Sequence, residues 1–132
     1  MSLTPRDLDR LKGVNEDLVR VVKHAATLVP LMVIEGLRTR ERQAELYAIG
    51  RTKPGKPVTW TLASKHCDGL AVDLAPLPVN WEDRDAFLRL HGAMCIGAQR
   101  VGVQLRYGGD WDGDGVYGER GESDLVHWEL KR

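Results

Sequence analysis

Residues 64–76 read Ser64-Lys65-His66-Cys67-Asp68-Gly69-Leu70-Ala71-Val72-Asp73-Leu74-Ala75-Pro76. The stretch from Leu70 to Ala75 predicts a short strand, and His66 stands seven residues before Asp73 in the loop that feeds it. A strand holds a ligand rigidly, and the small residues Gly69 and Ala71 would let loop and strand approach a metal closely. Further along, His127 follows Asp124 by three residues within a second expected strand, Leu125 to Leu130. Two imidazoles and one carboxylate are a common catalytic zinc set, with a fourth position left for water. A His-x6-Asp spacing taken alone is weak, because single histidines are more often structural than ligating. The other two histidines, His24 and His91, fall within expected helices with no carboxylate at metal spacing and read as ordinary helix residues.

The rest of the chain arranges itself around these strands. Thr4-Pro5 predicts a helix start with Thr as cap, with Leu8 and Leu11 inward and Gly13 as the stop. Asn15 caps a second expected helix with Leu18, Val21, Val22, Ala25 and Leu28 on its apolar face, closed by Pro30. Leu31 to Leu37 predicts a strand. Thr39 caps a helix through Ile49, with Leu46 and Ile49 inward, and Gly50 stops it. Residues 51–63 form a basic loop. Asn80 caps a long helix to Val101, buried through Phe87, Leu88, Met94 and Ala98. Val103 to Tyr107 is a further strand, and a Gly/Asp-rich loop joins it to the last one. Helices cluster early and strands late, so the expected fold is α+β, with helices packed on a small, mostly antiparallel sheet.

Length and composition limit the function. A chain of 132 residues is one domain by size, residues 1–132, with no room for a second core. Lys plus Arg and Asp plus Glu are equal at 19 each, so no basic field exists to hold nucleic acid. The longest apolar run, Ala25 to Ile34, is broken by Thr27 and Pro30 and falls short of the roughly 20 residues that span a bilayer. The acidic start, MSLTPRDLDR, has no apolar segment of the kind a secretory signal carries. Cys67 and Cys95 read as free thiols rather than a disulfide framework. Charge is uneven, with seven bases and two acids over 38–65 and seven acids and one base over 107–129. Such runs usually face water. The sharper reading is a basic substrate wall opposite an acidic, metal-attracting end.

The combined pattern Ser64-x-His66-x2-Gly69-x-Ala71-x-Asp73, then Asp124-x2-His127, resembles the zinc D-Ala-D-Ala peptidase superfamily of VanX and VanY. Two further segments extend the likeness. Gly36-Leu37-Arg38-Thr39 with Gln43, Leu46-Tyr47 and Gly50-Arg51 is similar to the superfamily's substrate-arginine segment. Tyr107-Gly108-Gly109-Asp110-Trp111 resembles the WGGDW segment of the phage L-alanyl-D-glutamate endopeptidase branch, with Tyr in place of the first Trp. The resemblance implies zinc on His66, Asp73 and His127, with Asp124 as the catalytic carboxylate, where the family often has Glu. Glu129 and Asp68 stand in reserve for that role. Arg38 would pair with a substrate carboxylate or hold the polarised carbonyl, and Ser64 would hydrogen-bond the peptide.

The implied activity is hydrolysis of the L-Ala–D-Glu bond of peptidoglycan stem peptides in phage-induced lysis. The enzyme would be a monomer, made in the host cytoplasm and meeting the wall once the membrane is opened. The rivals are a D-Ala-D-Ala carboxypeptidase or dipeptidase on the same ligands, and a zinc-containing binding module like the hedgehog signalling domains. Retention of Asp124 beside His127 favours catalysis, because a structural zinc does not need that acid.

Trp128 reads as core, whereas Trp60 is open between stacking on substrate and anchoring its loop. Cys67 reads as a non-ligand despite its place beside His66. Asp110-Trp111-Asp112-Gly113-Asp114-Gly115-Val116 follows the start of an EF-hand-type calcium loop, with carboxylates at positions 1, 3 and 5 and a backbone carbonyl at 7. Position 12 is Gly121, and Glu122 stands one residue late, so calcium on Asp110, Asp112, Asp114, Val116 and Glu122 competes with a plain Gly/Asp turn.

Overall fold

The computed structural model describes residues 3–57, 64–110 and 124–131. Its elements run α1 (Pro5–Arg10), α2 (Glu16–Leu28), β1 (Leu31–Glu35), α3 (Arg40–Ala48), a 3-10 turn (Lys65–Asp68), β2 (Ala71–Pro76), α4 (Arg84–Val101), β3 (Leu105–Tyr107) and β4 (His127–Leu130). The four strands form one sheet in the order β1-β2-β4-β3, and each neighbouring pair is antiparallel. Helices packed on a small antiparallel sheet make this the α+β fold expected.

The helix starts follow from local chemistry. Thr4 closes a capping box with Asp7, Asn15 accepts from the backbone N–H of Asp17, and Thr39 accepts from that of Arg42. The long helix begins later than expected, because Asp83 rather than Asn80 is its cap; Asn80 instead accepts from the Glu82 N–H in the preceding turn. The strands are also trimmed, with β1 ending at Glu35, β2 shifted on by one residue, and β3 and β4 starting at Leu105 and His127.

The core lies between α2, α4 and one face of the sheet, around Leu18, Val22, Val33, Leu74, Leu90, Met94 and Trp128. Burying a side chain of this size contributes roughly 1.5–3 kcal/mol, so this cluster is the main force on the fold. Five inward assignments do not hold in full. Leu8 and Leu28 are exposed, Leu28 as the last residue of α2. Asp7 is the buried residue of α1, and its carboxylate accepts from the Val33 N–H at 2.9 Å, tying that helix to β1. On α3, Leu46 and Ile49 are only half-buried and the fully buried side chain is Gln43. Leu88 is likewise half-buried, its place in the core taken by Leu90.

Candidate metal centre

Antiparallel pairing of β2 with β4 sets Asp73 directly opposite His127. A bulge in β1 brings Glu35 level with Asp73 on the other side. His66 arrives from the 3-10 turn, an element not anticipated from the sequence. Ser64 caps that turn by accepting from the His66 N–H, and Gly69 ends it at φ 70°, in the left-handed region that suits glycine. The role expected for Gly69 needs correction. Its missing side chain makes room for the α1–α2 connection, not for a metal: a Cβ there would lie 2.5 Å from the Gly13 carbonyl, and the Gly69 carbonyl accepts from the Asn15 N–H at 2.7 Å.

The three groups converge on one point. His66 Nε2 lies 3.1 Å from Asp73 Oδ1, and His127 Nδ1 lies 3.2 Å from the same oxygen. One ligand atom from each of the three residues falls within 4.8 Å of the others. The outer ring nitrogens are held: His66 Nδ1–H donates to the Gly36 carbonyl at 2.7 Å, and His127 Nε2–H donates to Glu129 at 2.8 Å. With the protons on those nitrogens, Nε2 of His66 and Nδ1 of His127 turn lone pairs toward a carboxylate oxygen. Lone pairs facing one another call for a cation between them. The edge of a tetrahedron with metal–ligand bonds of about 2.0 Å is about 3.3 Å, close to the two spacings seen. The donor set, the spacing and the anchored outer nitrogens all fit zinc.

Without a metal, protons take its part. Burial alone would lower the pKa of His127, but hydrogen bonds to Asp73 and Glu129 push it up to about 9. Burial would raise Asp73, and hydrogen bonds from His127 and His66 bring it down to about 2 instead. Asp124 stands at the start of the β4 approach, more exposed than the three. Partial burial and the neighbouring Asp73 charge raise its carboxyl pKa, against the opposing fields of His127, His66 and Arg38. Its backbone is fixed against Gly108: the Asp124 N–H donates to the Gly108 carbonyl, and a Cβ on Gly108 would fall 2.2 Å from the Asp124 carbonyl. That close approach gives a physical reason for a glycine at this point of the Tyr107–Asp110 segment.

Arg38 is not a loose surface arginine. Its backbone N–H donates to the His66 carbonyl. Its guanidinium donates to Gln43 Oε1 at 2.7 Å and forms an ion pair with Glu35, while its buried Nε has no partner among the described residues. The ion pair with Glu35 keeps the group charged against the cost of burial. Glu35, Gln43 and Glu129 are the site neighbours that sequence reasoning missed or misplaced. In the sequence Gln43 belongs to the Arg38 motif, and its signal is an amide on the inward face of α3.

Glu129 faces the back of His127, so it does not occupy the position of a reserve base, and Asp68 is exposed beside Arg40. Cys67 is a free thiol outside the ligand group. Trp128 is fully buried, and its indole N–H donates to His91 Nδ1 at 3.0 Å. His91 also stacks on Tyr107, and burial lowers its pKa to about 4, so it is a neutral packing residue. Trp60, Asp112, Asp114, Val116 and Glu122 lie outside the described residues. Asp110 is described, buried at the end of the Tyr107–Asp110 segment.

Comparison with known proteins identifies the family and the fold. Residues 1–131 match the family model described as phage L-alanyl-D-glutamate peptidase. The L-alanyl-D-glutamate peptidase of Escherichia phage T5 is 32% identical over 129 residues, covering 92% of this chain and 91% of that protein. The crystal structure of the Serratia marcescens L-Ala D-Glu endopeptidase ChiX superposes with a TM-score of 0.79 at 33% identity, over 99% of this chain and 90% of the other. The vancomycin-resistance D,D-pentapeptidase VanY, in a complex with Zn(II), shares the fold at a TM-score of 0.53 and 20% identity, over 89% of this chain and 72% of that one.

Proposed function

The chain belongs to the phage L-alanyl-D-glutamate peptidase family, and on that premise we propose that it is a zinc endopeptidase cutting the L-Ala–D-Glu bond of peptidoglycan stem peptides. The observation that carries the reading is the convergence of His66 Nε2, Asp73 Oδ1 and His127 Nδ1, each outer imidazole nitrogen already held. These three residues would hold the metal. The chemistry zinc supplies at such a site is an acidified water and a polarised carbonyl.

The remaining work falls to the chain's own side chains. Asp124 accepts a proton from the attacking water and returns it to the departing amine; partial burial raises its carboxyl pKa, which makes the carboxylate a readier proton acceptor. Arg38, clamped by Glu35 and Gln43, presents a fixed positive charge to a substrate carboxylate. Ser64 accepts from the His66 N–H, which leaves its own O–H to donate to the peptide.

The proposal includes a single catalytic domain over residues 1–132 acting as a monomer. One core cluster among the described residues and a family match over almost the whole length support the single domain. No described helix is long and apolar enough to cross a membrane. The proposed route to the substrate is synthesis in the host cytoplasm, followed by access to the wall once the membrane is permeabilised.

Digestion of purified sacculi followed by mass spectrometry tests the reading. New N-terminal D-Glu is the expected product. Released D-Ala would instead mean a carboxypeptidase, and an undigested wall would mean a binding module.

A further inference from the structure

We propose that Glu129 is a positioning residue for the metal centre, acting through His127 to set which ring nitrogen faces the ion. This rests on the reading of His66, Asp73 and His127 as ligands. Residues two apart on a strand leave the same face, so the β4 backbone places Glu129 beside His127. The contact is close and sheltered: Glu129 Oε1 lies 2.8 Å from His127 Nε2, and the glutamate is only 8% exposed. An ionised carboxylate only accepts hydrogen bonds, so Nε2 must carry the proton. In the neutral ring, Nδ1 is then the bare nitrogen, and Nδ1 is the atom turned to Asp73.

The negative partner also makes the imidazole a stronger donor. Such outer carboxylates are typically worth about 10- to 100-fold in metal affinity. Sheet pairing protects the arrangement. Glu129 lies opposite Ala71 on β2 and Arg106 on β3. Directly opposed residues share a face with Cβ atoms about 4.5–5.5 Å apart, so a small residue at 71 leaves room for the carboxylate. The alanine in the motif therefore has a reason that lies one residue behind the metal.

The test measures Zn²⁺ affinity of metal-stripped protein by competition with a chromophoric chelator, for the parent, Glu129→Ala, Glu129→Gln and His127→Ala. Co²⁺ loading provides a spectrum that reports ligand geometry, and thermal melting of the metal-free proteins reports folding. Glu129→Ala is expected to weaken Zn²⁺ about 10- to 100-fold and to change the Co²⁺ spectrum. Glu129→Gln should fall between parent and Ala, because its amide oxygen still accepts the N–H.

Parent-like Zn²⁺ affinity in a folded Glu129→Ala, with the metal lost from His127→Ala, overturns the positioning role alone. Parent-like affinity in His127→Ala overturns the ligand reading itself. Should Glu129→Ala fail to melt cooperatively, Glu129→Gln decides: a loss of about threefold or more supports the role, and no change overturns it.

Discussion

The turn carrying His66 and the strand carrying His127 bring the same chemical group to the same Asp73 oxygen by different means. His66 sits on a single 3-10 turn, offers Nε2, and is anchored by a neutral backbone carbonyl, that of Gly36. His127 sits in the sheet, offers Nδ1, and is anchored by a carboxylate, that of Glu129. A turn has little hydrogen bonding of its own, so His66 depends on its cap, on Gly69 and on the α1–α2 connection behind it. A strand is held by its ladders, so His127 depends on register, and its chemistry is tuned by a charge. Backbone shape places both imidazoles, through a turn for His66 and through register for His127, and only His127 has its outer nitrogen on a carboxylate.

The bluntest way to break this comparison is to remove either ligand. His66→Ala, Asp73→Ala and His127→Ala should each lose bound zinc, and with it activity, by orders of magnitude, because three protein ligands leave no spare. Elemental analysis that found stoichiometric zinc in any of the three would remove that residue from the set.

Next in size is the acid on the His127 side. Asp124→Ala should retain zinc and fold while wall-lytic turnover falls about 10²- to 10⁴-fold. Arg38→Ala should also keep zinc and lose activity. Unchanged lysis by Asp124→Ala would shift the proton transfer to another group.

A third expectation separates the two histidines by charge. In metal-free protein the His127 pKa is about 9 when folded, against an ordinary 6.5. The folded state therefore binds the extra proton more tightly. The stabilisation is complete below about pH 6.5 and is lost as pH rises through 9, by up to about 3 kcal/mol. Asp73 works in the opposite direction, its stabilisation present above about pH 3.8 and lost as pH falls toward 2. Urea midpoints of stripped protein at pH 6.5 and 9.5 should differ, and the difference should shrink in Glu129→Gln. Equal midpoints in the parent would contradict the assigned coupling.

Gly69→Ala should act on the other histidine. A left-handed φ and a Cβ 2.5 Å from the Gly13 carbonyl should cost roughly 2 kcal/mol or more and weaken zinc through His66. A melting temperature equal to the parent's would mean that the turn tolerates a side chain.

The smallest expected effect lies on the approach to Asp124. If the segment from Asp110 to Glu122 takes calcium, added Ca²⁺ should raise lysis modestly, and Asp112→Ala with Asp114→Ala should remove the gain without removing zinc. Calorimetry without a Ca²⁺ signal at millimolar concentration would leave a plain turn.

The capped helices and the α+β class were legible in the sequence, and so, through the family resemblance, were the candidate trio His66, Asp73 and His127 and the acid three residues before His127. Each depends on local chemistry: Thr4, Asn15 and Thr39 satisfy N–H groups a few residues away, and the His and Asp spacings lie within single segments. What stands behind those residues depends on contacts made in the folded chain. Glu129 was a residue of uncertain use until β4 turned it toward His127 Nε2. Gln43 was a polar position on a weakly amphipathic helix until Arg38 reached it. Gly69 looked like clearance for a metal until the α1–α2 connection filled the space. The partners come from the facing of one strand for Glu129 and His127, from the path of the chain between β1 and α3 for Arg38 and Gln43, and from two connections 54 residues apart for Gly69 and Asn15, and none of these follows from local spacing alone.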